Sequence, residues 1–141
     1  MGTTLRPTPV SAMKIGALAA RSGLPVKTLR YYEDLGLLPA IGRSEGGYRL
    51  FAEESLRRLE FIRRLKTLGL SLEEIQSCLA VHDAGELPCQ DIQAMLEHQI
   101  KRIERQISDL GQLRTELEGL LAGWRSDPAR EADLICPNLR L

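Results

Sequence analysis

The sequence predicts a mainly α-helical chain, and three observations point there. Aromatic residues make up only 4% against 43% apolar residues overall, a balance that suits helical bundles better than sandwiches of sheets. Apolar side chains recur at helical spacing in three short segments (from Ile15, from Val26 and from Leu56), each followed by a glycine. A longer run keeps alternating apolar steps of three and four residues over four heptads, the pattern of a coiled-coil seam.

Residues 1–12 contain two prolines and no periodicity, so they read as a mobile arm ahead of a domain over 13–80. Within that domain, Ile15, Leu18 and Ala19 lie one turn apart and the run stops at Ser22-Gly23, a turn signal. A second helix is expected near Pro25, whose fixed φ suits a first helical position. It turns Val26, Leu29 and the neighbourhood of Tyr32 inward and ends at Gly36. Two short helices joined by a tight glycine-containing turn form a helix-turn-helix candidate.

Leu38–Phe51 carries Pro39, Gly42, Gly46 and Gly47 between short apolar pieces, which reads as a β-hairpin with Ser44–Gly47 at its tip. Leu56, Leu59, Ile62 and Leu65 then give a third helix. Ser71-Leu72-Glu73-Glu74 is a capping box that opens a fourth helix to about Ala80. Residues 81–89 read as a linker loop.

The long helix is expected over 90–122, roughly 50 Å at 1.5 Å per residue. Leu96, Ile103, Leu110 and Leu117 recur every seven residues, with Ile100, Ile107 and Leu121 interleaved and Arg114 interrupting the second series. A single polar seam residue fixes register at some cost in stability. A lone helix cannot bury this stripe, and the simplest partner is a second copy of the chain, hence a homodimer. Residues 123–141 form a short tail.

Charge is balanced overall but not along the chain. Residues 1–66 hold 12 Lys and Arg against 6 Asp and Glu, whereas residues 67–141 hold 7 against 13. Only the first half therefore suits a polyanion. Lys27, Thr28, Arg30 and Tyr31 fall in the first two turns of the second helix, where a recognition helix touches base edges and phosphates. Arg43, Tyr48 and Arg49 flank the hairpin tip, as in a wing that grips the DNA backbone. No Gly-rich phosphate loop, G-x-S-x-G or His–carboxylate cluster is present, which argues against an enzyme. No apolar run is long enough for a membrane span, and no signal-peptide pattern opens the chain. The expected setting is the cytoplasm, with reduced cysteines.

Taken together, Ile15-Gly16-Ala17-Leu18-Ala19, Leu29-Arg30-Tyr31-Tyr32-Glu33, Gly36-Leu37-Leu38-Pro39, Arg43, Gly47-Tyr48-Arg49 and the stretch from Phe61 to Ile75 closely resemble the MerR family of bacterial transcription regulators. The resemblance is dense over about residues 13–80. It implies a winged helix-turn-helix domain, an antiparallel coiled-coil homodimer and double-stranded promoter DNA as partner. It further implies that the effector-bound dimer bends and untwists a promoter with an overlong spacer for RNA polymerase. Two departures stand out: Pro25 replaces the usual helix-capping Ser, and Ala52 lacks a capping side chain before the third helix.

Cys89 precedes the long helix, whose N-terminal end favours an anion and hence a thiolate. Cys136 lies in the tail. Both match cysteines of the family's metal sensors, in which a coil thiolate joins two from the tail, one of them across the dimer. A cysteine at the coil position implies divalent ions, since copper-type sensors carry Ser there. Where the first tail cysteine is expected, this chain reads Gly123-Trp124-Arg125, and the loop before Cys136 is longer than usual. Two thiolates suit a linear soft ion such as mercury, whereas zinc, cadmium, cobalt or lead want more donors. His82, Asp83, Glu131 and Asp133 are the candidates. Cys78 and His82, four residues apart, form a possible ligand pair, although a small buried Cys is the simpler reading. The expected cofactor is thus a heavy metal ion. An oxidant, an electrophile or a small organic effector, the last with Trp124 lining its pocket, is the alternative signal.

Overall fold

The computed structural model describes residues 12–139. Its elements are β1 (Ala12–Lys14), α1 (Ile15–Ser22), α2 (Val26–Asp34), β2 (Gly42–Arg43), β3 (Arg49–Ala52), α3 (Glu54–Thr67), α4 (Leu72–Asp83) and α5 (Cys89–Ala122). They form two compact units that divide between Met95 and Leu96. No helix among the described residues is long and apolar enough to cross a membrane.

In the first unit the expected periodicities become the core. Leu18 of α1, Leu29 of α2, Leu59 and Ile62 of α3 and Ile75 of α4 are fully buried, together with Leu37, Leu38 and Phe51. The turn between α1 and α2 closes on Gly23, at φ 75°, whose N–H donates to the Ala19 carbonyl. Such a positive φ costs glycine little. The capping box forms as expected: the Glu74 N–H donates to Ser71 Oγ at 3.2 Å, and the Ser71 N–H donates to the Glu74 carboxylate at 3.1 Å.

A three-stranded antiparallel sheet has the order β1-β3-β2. Arg43 pairs with Arg49 and Gly42 with Leu50, which makes the hairpin, while Met13 pairs with Phe51 on the other edge. At the tip the Ser44 N–H donates to the Tyr48 carbonyl and the Gly47 N–H to the Ser44 carbonyl, with Gly47 at φ 82°.

Four expectations change at element ends. The strand β1 was hidden, because three residues are too few to show alternation; apart from Ala12, the arm expected over 1–12 lies outside the described residues. Pro25 is the N-cap of α2 rather than its first helical residue, extended at ψ 146° and offering no side-chain cap. Before α3 the cap position is Glu53, not Ala52, and it too makes no side-chain cap. The linker of 81–89 shrinks to 84–88: α4 continues through Asp83, and Cys89 is already helical. No helix breaker interrupts Val81-His82-Asp83, and the chain leaves α4 only at Ala84 and Gly85, the latter at φ 88°.

Candidate nucleic-acid interface and effector positions

The position of α2 is set from its C-terminal side. Arg58 of α3 donates from Nε to the Leu37 carbonyl at 2.5 Å, and Gln76 of α4 donates to the Leu35 carbonyl at 2.8 Å. Buried Leu29 and Tyr32 hold the inner face. The outer face carries exposed Lys27, Arg30 and Tyr31, with Thr28 half-buried. The four helix residues among the seven expected to reach DNA therefore share one short helix, and three of them are exposed.

The hairpin stands beside this helix, and its basic residues are not equivalent. Arg43 donates to the Gly47 carbonyl at 3.0 Å and so braces the hairpin tip. Arg49 is bound to Glu33 of α2 at 2.5 Å; the Glu33 side chain is only 11% exposed against 49% for Arg49. The hydrogen bond and charge of Glu33 raise the Arg49 pKa above its ordinary value. On the other edge, Lys14 Nζ stands 4.5 Å from the centre of the exposed Tyr48 ring, a cation–π contact. Arg30, Glu33, Lys14, Tyr48 and Arg49 line one groove. Sequence reasoning missed Glu33 and Lys14, and no local pattern points to them, because their partners lie 16 and 34 positions away.

The thiols separate by environment. Cys78 is fully buried, with its Sγ 3.6 Å from Met95 Sδ, and burial pushes its thiol pKa up, aided by the nearby charges of Asp91 and Glu74. The Cys78–His82 ligand pair is thereby ruled out: the thiol faces the core while His82 is exposed, 3.7 Å from Glu54. Cys89 is exposed at the first position of α5, and Cys136 is half-buried in the tail.

Of the further donors, Asp83 is taken. Arg58 grips both its oxygens, at 2.6 and 2.9 Å, and this hydrogen bonding holds the carboxyl below its ordinary range. Glu131 and Asp133 are exposed. Among the described residues of one chain, no three His, Cys, Asp or Glu side chains gather as a metal group. In the tail, the Asn138 side chain accepts from the Arg125 N–H and donates to the Arg125 carbonyl, both at 2.9 Å, and closes a loop that contains Cys136. Trp124 is half-exposed.

Along α5 the apolar stripe faces outward. Ile100, Ile103, Ile107, Leu110, Leu117 and Leu121 are exposed, Leu96 is half-buried, and Leu113 and Leu120 add to the exposed set. Arg114 is paired along its own helix with Glu118 at 2.7 Å.

Two family models match the chain: "MerR HTH family regulatory protein" over residues 13–81 and "MerR, DNA binding" over 56–120. The mercuric resistance operon regulatory protein of Bacillus cereus is 40% identical over 107 residues, which cover 76% of this chain and 81% of that one. The chain belongs to the MerR family. It is therefore a DNA-binding transcription regulator and not an enzyme, as the sequence indicated. Among solved structures, the regulator PbrR691 of Ralstonia metallidurans CH34, in complex with lead(II), matches with a TM-score of 0.74 and 37% identity, over 84% of this chain and 93% of that one. HiNmlR, a MerR-family regulator lacking the sensor domain and bound to promoter DNA, matches with a TM-score of 0.54 and 32% identity, over 79% and 84% of the two chains.

Proposed function

We propose that the chain acts in the cytoplasm as an antiparallel coiled-coil homodimer that bends and untwists an overlong promoter spacer for RNA polymerase. A soft or divalent heavy-metal ion, held through Cys89 and Cys136, switches it. The observation that carries this reading is the dual character of α5: it begins at an exposed thiol and continues as an exposed apolar seam. A signal bound at its first turn acts directly on the rod that joins two DNA-binding units. An effector switches nothing unless it favours one of two dimer geometries, and a helix shared by sensor and interface meets that condition.

DNA contact falls to Lys27, Thr28, Arg30 and Tyr31 on α2 and to Arg43, Tyr48 and Arg49 on the wing. The donor chemistry suits soft ions, since thiolates prefer mercury, cadmium, lead and zinc over hard cations. His82, Glu131 and Asp133 remain as further donors within the dimer, whereas Asp83 serves Arg58. The likeness to a mercuric resistance regulator and to a regulator in complex with lead(II) supports the same class of signal.

The exposure of Cys89 favours one second reading, in which an oxidant or electrophile modifies that thiol. Run-off transcription from the chain's own promoter, with mercury, lead, cadmium, zinc or peroxide added in turn, distinguishes the two. Cys89→Ser and Cys136→Ser are expected to abolish the metal response while keeping DNA binding. Metal activation undiminished in both variants refutes the thiolate site. A response to peroxide alone, lost with Cys89→Ser only, establishes the second reading.

A further inference from the structure

We infer that Glu33, an acidic residue on the DNA-facing helix, is a positioning residue for operator recognition, locking the wing to α2 through Arg49. The inference rests on the proposed meeting of α2 and the wing with DNA. An acidic side chain facing a polyanion weakens binding unless something offsets it. Glu33 is the most sheltered charged group in the groove and is ion-paired to Arg49 at 2.5 Å. Arg49 lies opposite Arg43 in the two-residue ladder of the hairpin, so its position fixes the register of the whole tip.

The hairpin has little else to hold it. Its strand β2 is two residues long and wholly exposed, and no residue from Ile41 to Arg49 is buried. A two-stranded hairpin is marginal by itself in water. Its fixed points are β1 pairing with β3, Lys14 over Tyr48, and Glu33 on Arg49. Of these three, the last joins the wing to the helix proposed to read bases. Arg49 remains half-exposed while bound, and a guanidinium has five N–H donors. It can therefore stay on Glu33 and still meet a phosphate. Glu33 thus sets the separation between helix and wing on the duplex, a quantity that matters for a matched operator and not for random DNA.

Two views of Glu33 predict opposite signs. If it is only a misplaced negative charge, Glu33→Gln tightens binding to every DNA. If it positions the wing, Glu33→Gln weakens operator binding about fivefold, leaves random-duplex binding unchanged or slightly tighter, and keeps the salt slope, because every cation that meets a phosphate is still present. The double variant Glu33→Gln/Arg49→Gln is then no worse than Arg49→Gln alone, the non-additivity expected of residues that touch. Fluorescence anisotropy of the full-length dimer on operator and on scrambled duplex, across a salt series, reads all of these. Hydrogen exchange of the free protein adds a DNA-independent measure: the Ser44 and Gly47 amides exchange faster in Glu33→Gln while the α3 amides do not. Operator affinity equal to or above wild type, or additive effects of the two substitutions, overturns the inference. Arg30→Ala serves as the reference variant. If it leaves operator binding intact, the DNA-facing assignment itself has failed; if it weakens binding while Glu33→Gln does not, only the lock has failed.

Discussion

Arg58 satisfies two structural demands with one guanidinium. Its Nε holds the Leu37 carbonyl just past α2, and its two terminal nitrogens hold the Asp83 carboxylate. The Arg58 side chain is 10% exposed and that of Asp83 is 52% exposed, so solvent screens the acid and the pair is worth on the order of 0.5 kcal/mol. The Asp83 pKa is lowered in the folded state. Its contribution is therefore present above the unfolded value, about 4, and is lost as pH falls through the lower folded value. Asp83→Asn should lower the unfolding midpoint slightly at neutral pH, with the gap to wild type closing in acid; a gap independent of pH would show that charge is not the cause. The thiols differ just as locally. Cys89 is exposed, whereas Cys78 is buried with its pKa raised, and only thiolates alkylate readily. Mass spectrometry after brief iodoacetamide treatment should find Cys89 labelled in native protein and Cys78 only after denaturation. Equal labelling of the two would contradict the burial of Cys78.

Among the elements, α5 makes the strongest demand on its surroundings. Its exposed Ile and Leu side chains, from Ile100 to Leu121, lie on one helix of 34 residues, and burying each in a partner contributes about 1.5–3 kcal/mol. Leu110→Asp puts a carboxylate inside that seam and should give monomers in analytical ultracentrifugation, whereas Gln112→Asp, off the seam positions, should not. A Leu110→Asp dimer of normal stability would mean that the seam runs elsewhere. This helix was legible in the sequence because a heptad pattern repeats, and so were α1 to α4, whose apolar faces are now the core. What the sequence hid has a common physical cause. Strand β1 has three residues, too few for a period to appear. The extra turn of α4 depends on nothing stopping it before Ala84. The Glu33–Arg49 pair joins positions 16 apart, and other acids and bases in the same stretch offered equally plausible partners. Periodic burial leaves a trace along a chain, while a single long-range ion pair leaves none. The candidate thiols were legible by type and place, but the commitment of Asp83 to Arg58 was not.

At the scale of the whole molecule, charge and mechanism meet. The first 66 residues carry 12 basic and 6 acidic side chains, and the rest carry 7 and 13, so the excess of positive charge lies in the stretch that holds α2 and the wing. Arg30→Ala should weaken operator binding and reduce the slope of log affinity against log salt by about 1 for each phosphate that the protein no longer neutralises. The proposed switch works by deformation, and bending or untwisting a site of this size costs of order 1–6 kcal/mol that protein–DNA interactions must offset. On that proposal the cost arises from the overlong spacer, so it can be removed from the DNA side. Deleting one or two base pairs from the spacer aligns the promoter elements without the protein's help. Transcription from the shortened promoter should then be high without effector and indifferent to Cys89→Ser, although the dimer still binds. If the shortened promoter still requires both metal and Cys89, the regulator does not act through DNA shape. Its effect would then have to pass through direct contact with RNA polymerase, a route that leaves the duplex geometry unchanged.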